Sequence, residues 1–159
     1  DTIWMLGFGI LMLLIKKTRR IGSTLMILIV LSTLLTGYIK CGMDRERPDF
    51  DYNGAPFPVP ISHDTFALFR EGGYDASYPS GHATRAVIFG IVLGYALSER
   101  FPRGSYLLLI YPLLVSVSRV YVLQHFPMDV IGGTILGVML AGVMSKKTKL
   151  YKIFEKSKS

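Results

Sequence analysis

The apolar residues of this chain fall into five runs, and its charges lie mostly in the gaps between them. No other feature of the sequence restricts the fold so much. Inside a bilayer every backbone N–H and C=O must be satisfied within helices or a closed barrel. Continuous runs of this length suit helices, not the alternating strands of a barrel. The runs cover residues 2–15, 21–39, 83–97, 105–123 and 128–144. The first is short for a full crossing, which takes about 20 residues, and reads as the end of a longer helix. The fourth contains Pro112, where a kink is expected. The fold class is therefore all-α: a polytopic membrane bundle with five visible transmembrane helices, read as one domain over residues 1–159.

The chain carries a formal charge of +7. In a soluble protein such an excess suggests nucleic acid, but here the cations stand beside apolar runs and no nucleic acid is expected. Twelve of the eighteen Lys and Arg residues occupy three places: Lys16 to Arg20, Arg100 with Arg103, and Lys146 to Lys158. With five crossings all three lie on one side. Cytoplasmic loops attract Lys and Arg, so that side and the C-terminus are expected to be cytoplasmic. The basic tail serves first as this orientation signal and second as a surface for anionic headgroups. The first run is followed by Lys16, Lys17, Arg19 and Arg20, not by small residues and a cleavage site, so it does not read as a signal peptide. A single cysteine, Cys41, excludes an internal disulfide and a site of several thiolates. Asn53 and Gln124 are the only amides of their kinds, a weak sign of a heat-adapted source.

The other side holds the long loop 40–80, with seven acids and four bases and with Pro48, Pro56, Pro58, Pro60 and Pro79 as breakers. A short helix is expected over Ser62 to Arg70. The helix count brings three groups of polar residues to this outward face: Lys40, Arg45 and Arg47; Pro79-Ser80-Gly81-His82; and Arg119, His125 and Asp129. Arg and Lys hold phosphate, the one as a planar fork and the other as a point charge. Ser80 suits a helix N-cap, and the N–H groups of a first turn bind anions. Gly81 admits a close backbone approach. Pro127 fits the first turn of the fifth helix, which sets His125 and Asp129 four apart on one side. The carboxylate is then placed to hold one ring nitrogen and leave the other free to attack phosphorus. His82 is placed to protonate a leaving oxygen.

Three spacings stand out: Lys40, six residues, Arg47-Pro48; Pro79-Ser80-Gly81-His82; and Ser118-Arg119, five residues, His125, three residues, Asp129. In this order they resemble the signatures of the type 2 phosphatidic acid phosphatase (PAP2) superfamily, and the helix pattern extends the likeness over most of the chain. The resemblance implies a lipid phosphatase of the cytoplasmic (inner) membrane, with its site toward the periplasm or cell exterior and with no metal or other cofactor. It implies that His125 becomes a phosphohistidine, Asp129 orients it, and His82 protonates the leaving group. Lys40, Arg47, Ser80, Gly81 and Arg119 hold the phosphoryl oxygens. Candidate substrates are undecaprenyl pyrophosphate, phosphatidylglycerophosphate, phosphatidic acid and the 1-phosphate of lipid A. Membrane members usually have six helices with the first motif after the third. Here it follows the second visible run, so a sixth is expected in the full-length chain.

Other residues read less sharply. Arg45 and Arg85 are possible headgroup contacts, while Arg45 also belongs to a solvated charge run with Asp44 and Glu46. An ionisable residue within a membrane helix, such as Arg85, is a functional candidate. His63 matches no motif. Trp4, Tyr38, Tyr74 and Tyr78 suit the interfacial belt, and Gly132, Gly133 and Gly137 suit close helix packing. The expected partners are the bilayer and a lipid phosphate, with no protein partner. The rival readings are a transporter or lipid-binding protein with a phosphate site, a lipid phosphotransferase, and a soluble branch of the same superfamily.

Overall fold

The computed structural model describes residues 2–43, 45, 47–48 and 76–150. The helix expected over Ser62 to Arg70, His63, Asp44, Glu46, Tyr74 and the cations beyond Lys149 lie outside the described residues. Those residues form five α-helices and no strand: α1 (Thr2–Leu14), α2 (Arg19–Met43), α3 (Gly81–Leu97), α4 (Ile110–Tyr121) and α5 (Pro127–Lys147). A 3₁₀ turn, Gly104–Leu109, runs directly into α4.

Three of these segments are long and apolar enough to cross a membrane: Arg19–Met43, Gly104–Tyr121 and Pro127–Lys147. The helices α1 and α3 are apolar but shorter, with 13 and 17 residues. The helix α3 is short and central. It packs against α2, α4, α5 and the 3₁₀ turn, and its Ala83, Ala86, Ile88, Val92 and Ala96 are buried. The large exposed side chains lie on its neighbours: Val30 and Leu34 of α2, Leu113 and Val117 of α4, Ile135 and Met139 of α5. An apolar rim around an interior of small residues is the distribution of an integral membrane protein, whose rim meets acyl chains.

Between apolar helices in lipid, close packing replaces the hydrophobic drive. Glycines supply that contact between α3 and α5. A Cβ on Gly137 would come 2.7 Å from the Thr84 carbonyl oxygen, and one on Gly133 would collide with the Ser80 carbonyl. The rest of the interior is filled by Ile21, Leu25 and Leu28 of α2 against Ile88, Val92 and Ala96 of α3 and Ala141 of α5. Edge-on aromatic pairs, Phe8 with Phe89 and Phe89 with Tyr111, tie α1 and α4 to α3 at centroid distances of 5.2 and 5.8 Å.

The kink expected at Pro112 takes a different form. Pro112 stands in the first turn of α4, where a missing N–H breaks no helical bond. The irregularity is the 3₁₀ stretch just before it. The Tyr78 ring lies over Gly132, so close that a Cβ there would sit 2.5 Å from the ring.

Candidate active site

At one end of the bundle the chain makes two helix starts side by side. The start of α3 is capped by Ser80, whose backbone is extended and whose Oγ faces the Ala83 N–H at 3.5 Å. The hydroxyl of Thr84 donates to the Ser80 carbonyl at 2.9 Å. The N–H of Ser80 donates to the Asp129 carbonyl at 2.9 Å, which joins the start of α3 to the first turn of α5.

The second start is set by a tight return after α4. Leu123 adopts a left-handed backbone, φ 54°, unusual for a residue with a Cβ. The chain folds back so that the N–H groups of Gln124 and His125 both reach the Arg119 carbonyl, at 3.1 and 3.3 Å. Phe126 is extended, Pro127 opens α5, and the Asp129 carboxylate accepts the Phe126 N–H at 2.8 Å. This is the side-chain half of a capping box. It holds His125 and Asp129 in place through the backbone between them.

His125 is 3% exposed and Asp129 is fully buried. Nδ1 of His125 lies 3.8 Å from Oδ2 of Asp129, too far for a hydrogen bond. The carboxylate is instead occupied by other groups. Arg45 Nη1 donates to Oδ1 at 3.0 Å, while the Ser77 hydroxyl and the Phe126 N–H donate to Oδ2. The Arg45 guanidinium also lies over the Phe126 ring, 4.6 Å from its centroid. The N–H of Ser77 donates to the Arg45 carbonyl at 2.7 Å, so the segment after α2 is stitched to the segment before α3.

The remaining motif residues gather around His125. Burial lowers its pKa to about 3, helped by the cations Arg47 and Lys40 and opposed by Asp129, with His82 adding to the lowering. Lys40 lies in the last turn of α2. Arg47 Nη1 faces the Gln124 carbonyl at 3.4 Å. Arg119 Nη1 donates to Gln124 Oε1 at 2.9 Å, and its Nε faces the Ser118 hydroxyl at 3.5 Å. The buried Arg85 folds back over Gly81: a Cβ there would stand 3.3 Å from Nη1. Among the described residues no three His, Cys, Asp or Glu side chains gather as metal ligands.

The three motifs thus meet at one face. They surround a buried imidazole, kept neutral, with cations. Such an arrangement attracts an anion and keeps a nitrogen lone pair beside it. Two contributors escaped the sequence reading. Ser77 gave no signal. Gln124 gave a faint one, as a lone amide after Val122 and Leu123, where a polar side chain needs an internal partner.

Comparison with known proteins follows the same line. The family model described as the PAP2 superfamily matches residues 21–151. An undecaprenyl-diphosphatase of Sulfolobus acidocaldarius is 38% identical over 128 residues, 80% of this chain and 55% of that protein. Phosphatidylglycerophosphatase B of Bacillus subtilis is 32% identical over 77% of this chain and 56% of its own length. The chain therefore spans about half the length of the curated relatives it matches. The crystal structure of a transmembrane PAP2-type phosphatidylglycerolphosphate phosphatase from Bacillus subtilis superposes with a TM-score of 0.67 at 26% identity, covering 96% of this chain and 70% of that one.

Proposed function

This chain belongs to the PAP2 superfamily, and we propose that it is a metal-independent phosphatase acting on a lipid phosphate monoester or diphosphate through a phosphohistidine on His125. The observation that carries this is the buried, neutral His125 beside Asp129, within the field of Lys40, Arg47 and His82. Nδ1 faces the carboxylate, so Nε2 is the nitrogen left for the substrate.

The reaction divides into two displacements. Nε2 attacks phosphorus and the P–O bond to the lipid leaving group breaks. His82 gives that oxygen its proton. Lys40, Arg47, Arg119 and the start of α3 at Ser80 and Gly81 hold the phosphoryl oxygens, whose charge they balance through the transition state. The imidazole turns cationic as the N–P bond forms, and Asp129, 3.8 Å away, is drawn to it. Water then attacks phosphorus, the N–P bond breaks and returns its electron pair to Nε2, His82 takes a proton from the water, and inorganic phosphate leaves. The spacing of the motifs and the family membership support this assignment of roles.

The distribution of cations supports an extracytoplasmic site. Lys16 to Arg20, Arg100, Arg103, Lys146 and Lys147 mark the opposite end of the bundle. The relatives' names suggest undecaprenyl diphosphate and phosphatidylglycerophosphate as the first substrates to try.

The test is phosphate release by the detergent-purified protein in excess EDTA. The substrates are undecaprenyl diphosphate, phosphatidylglycerophosphate, phosphatidic acid and lipid A, with His125→Ala alongside. Turnover of at least one lipid by the parent protein alone supports the proposal. Equal release by both proteins, or binding without release by either, overturns it.

A further inference from the structure

Gln124 belongs to none of the three motifs, yet it touches an arginine of two of them. Its side-chain Oε1 accepts from Arg119 Nη1 at 2.9 Å, and its backbone carbonyl faces Arg47 Nη1 at 3.4 Å. It is 7% exposed and immediately precedes His125. Its own N–H returns to the Arg119 carbonyl at 3.1 Å. The loop from Arg119 to Gln124 is thus closed twice, once through the backbone and once through the side chains. The left-handed turn at Leu123 makes the second closure possible by reversing the chain just before the amide.

We infer that the Gln124 side chain positions Arg119 at the phosphate while leaving its charge intact, and that its backbone carbonyl orients Arg47, an inference that rests on the phosphatase reading above. The chemistry of an amide decides the point. A guanidinium has five donors and no acceptor, so a partly buried one, such as that of Arg119, needs acceptors to fix it. A carboxylate would fix it more firmly but would neutralise it and compete with phosphate. An amide oxygen fixes the fork and carries no net charge. The other donors of Arg119 remain for its further contacts and for the substrate. Because the amide and the nucleophile are adjacent in the chain, both arginines are referenced to the backbone that carries His125.

The test uses the whole protein in detergent, with two variants. Gln124→Glu keeps size and hydrogen bond but adds a charge; Gln124→Leu removes the bond. For each, kcat and KM are measured on a lipid that the parent protein turns over, together with inhibition by orthovanadate, a phosphate mimic, and thermal unfolding. Gln124→Glu is expected to weaken vanadate inhibition and raise KM by about tenfold or more, a change of roughly 1.4 kcal/mol, because the added carboxylate neutralises Arg119 and repels the phosphate, with its unfolding temperature held. Gln124→Leu is expected to lose both affinity and kcat. If Gln124→Glu folds and its vanadate inhibition and KM stay within about twofold of the parent, a change worth under roughly 0.5 kcal/mol, the inference is wrong. A lower unfolding temperature with unchanged KM and inhibition marks a structural role only and also overturns it. An inactive parent protein would instead sink the phosphatase reading itself.

Discussion

Arg45 and Asp129 form an ion pair at 3.0 Å across 84 residues of sequence, with the carboxylate fully buried and the guanidinium 40% exposed. The pair spans the two halves of the site, the arm that follows α2 and the first turn of α5. Removing the cation leaves a buried negative charge supported by Ser77 and the Phe126 N–H alone among the described residues. Full loss of a partner from a buried pair costs about 3–5 kcal/mol. The exposure of Arg45 reduces this to about 1–2 kcal/mol. Arg45→Met is therefore expected to lower the unfolding temperature, measured in detergent. A double-mutant cycle with Asp129→Asn should recover most of that loss, since the amide needs no cation.

Asp129→Asn alone should leave the helix start nearly intact, because an amide oxygen can still accept the Phe126 N–H. On the phosphohistidine proposal it removes the charge that draws the phosphorylated imidazole. The expected fall in kcat is about 10²–10⁴-fold, by comparison with the loss of the orienting carboxylate in serine-protease triads. KM on the same lipid should change far less. Steady-state kinetics read both quantities.

The pKa of His125 dictates the acid behaviour. In the folded protein it is lowered from 6.5 to about 3, by burial first and then by Arg47 and Lys40. The unfolded chain therefore binds a proton between those values and the folded one does not. The stability that His125 contributes is complete above about pH 6.5 and is lost as pH falls toward 3. A His125→Gln protein should show a shallower fall in unfolding temperature over that window. In the same sense, Lys40→Met removes a cation that opposes protonation, so the acid limb of kcat/KM should move to higher pH. A pH titration of each variant beside the parent checks both signs.

The glycines facing α3 should separate sharply from those facing outward. Gly137→Leu drives a side chain into the Thr84 carbonyl and Val87. Overpacking of this kind typically costs about 1–3 kcal/mol. It is also expected to push apart the helix that carries His82 and the helix that begins just after His125. A Cβ on Gly142 meets nothing within 4 Å, so Gly142→Ala should be neutral or raise stability by up to about 1 kcal/mol through helix propensity. Thermal unfolding and gel filtration in detergent compare the two.

Much of the scaffold could be read from the sequence because its determinants are local. Apolar runs mark helices wherever lipid is the solvent, and Pro127 with Asp129 marks the start of α5 by spacing alone. The motif residues come together at one end of the bundle because each stands at or near the end of one of these helices. What spacing could not give is competition among partners. His125 and Asp129 stand four apart, as a ring nitrogen and its orienting carboxylate should. Yet the carboxylate is taken by Phe126 N–H, Ser77 and Arg45, and the histidine stands off at 3.8 Å. Arg45 looked like part of a solvated run because its partner lies far along the chain. Gln124 was visible only as a scarce amide, since its value depends on a left-handed turn at Leu123 that no propensity favours. Pro112 invited a kink, but its place in the first turn depends on where the preceding 3₁₀ stretch ends.

The backbone contact at Gly133 and Gly137 has a consequence for how such a protein diversifies. It fixes the helix that begins at Ser80 against the helix that begins beside His125, so the spacing of this pair of helix starts is set by steric fit deep in the bundle. The cations from residues 45 to 47 reach that pair through polar contacts described above, the ion pair to Asp129 and the bond between Ser77 and Arg45. Substitutions in this arm leave the glycine seam untouched. The spacing of the two helix starts can therefore survive changes in the arm, whereas the contacts that the arm makes with Asp129 cannot.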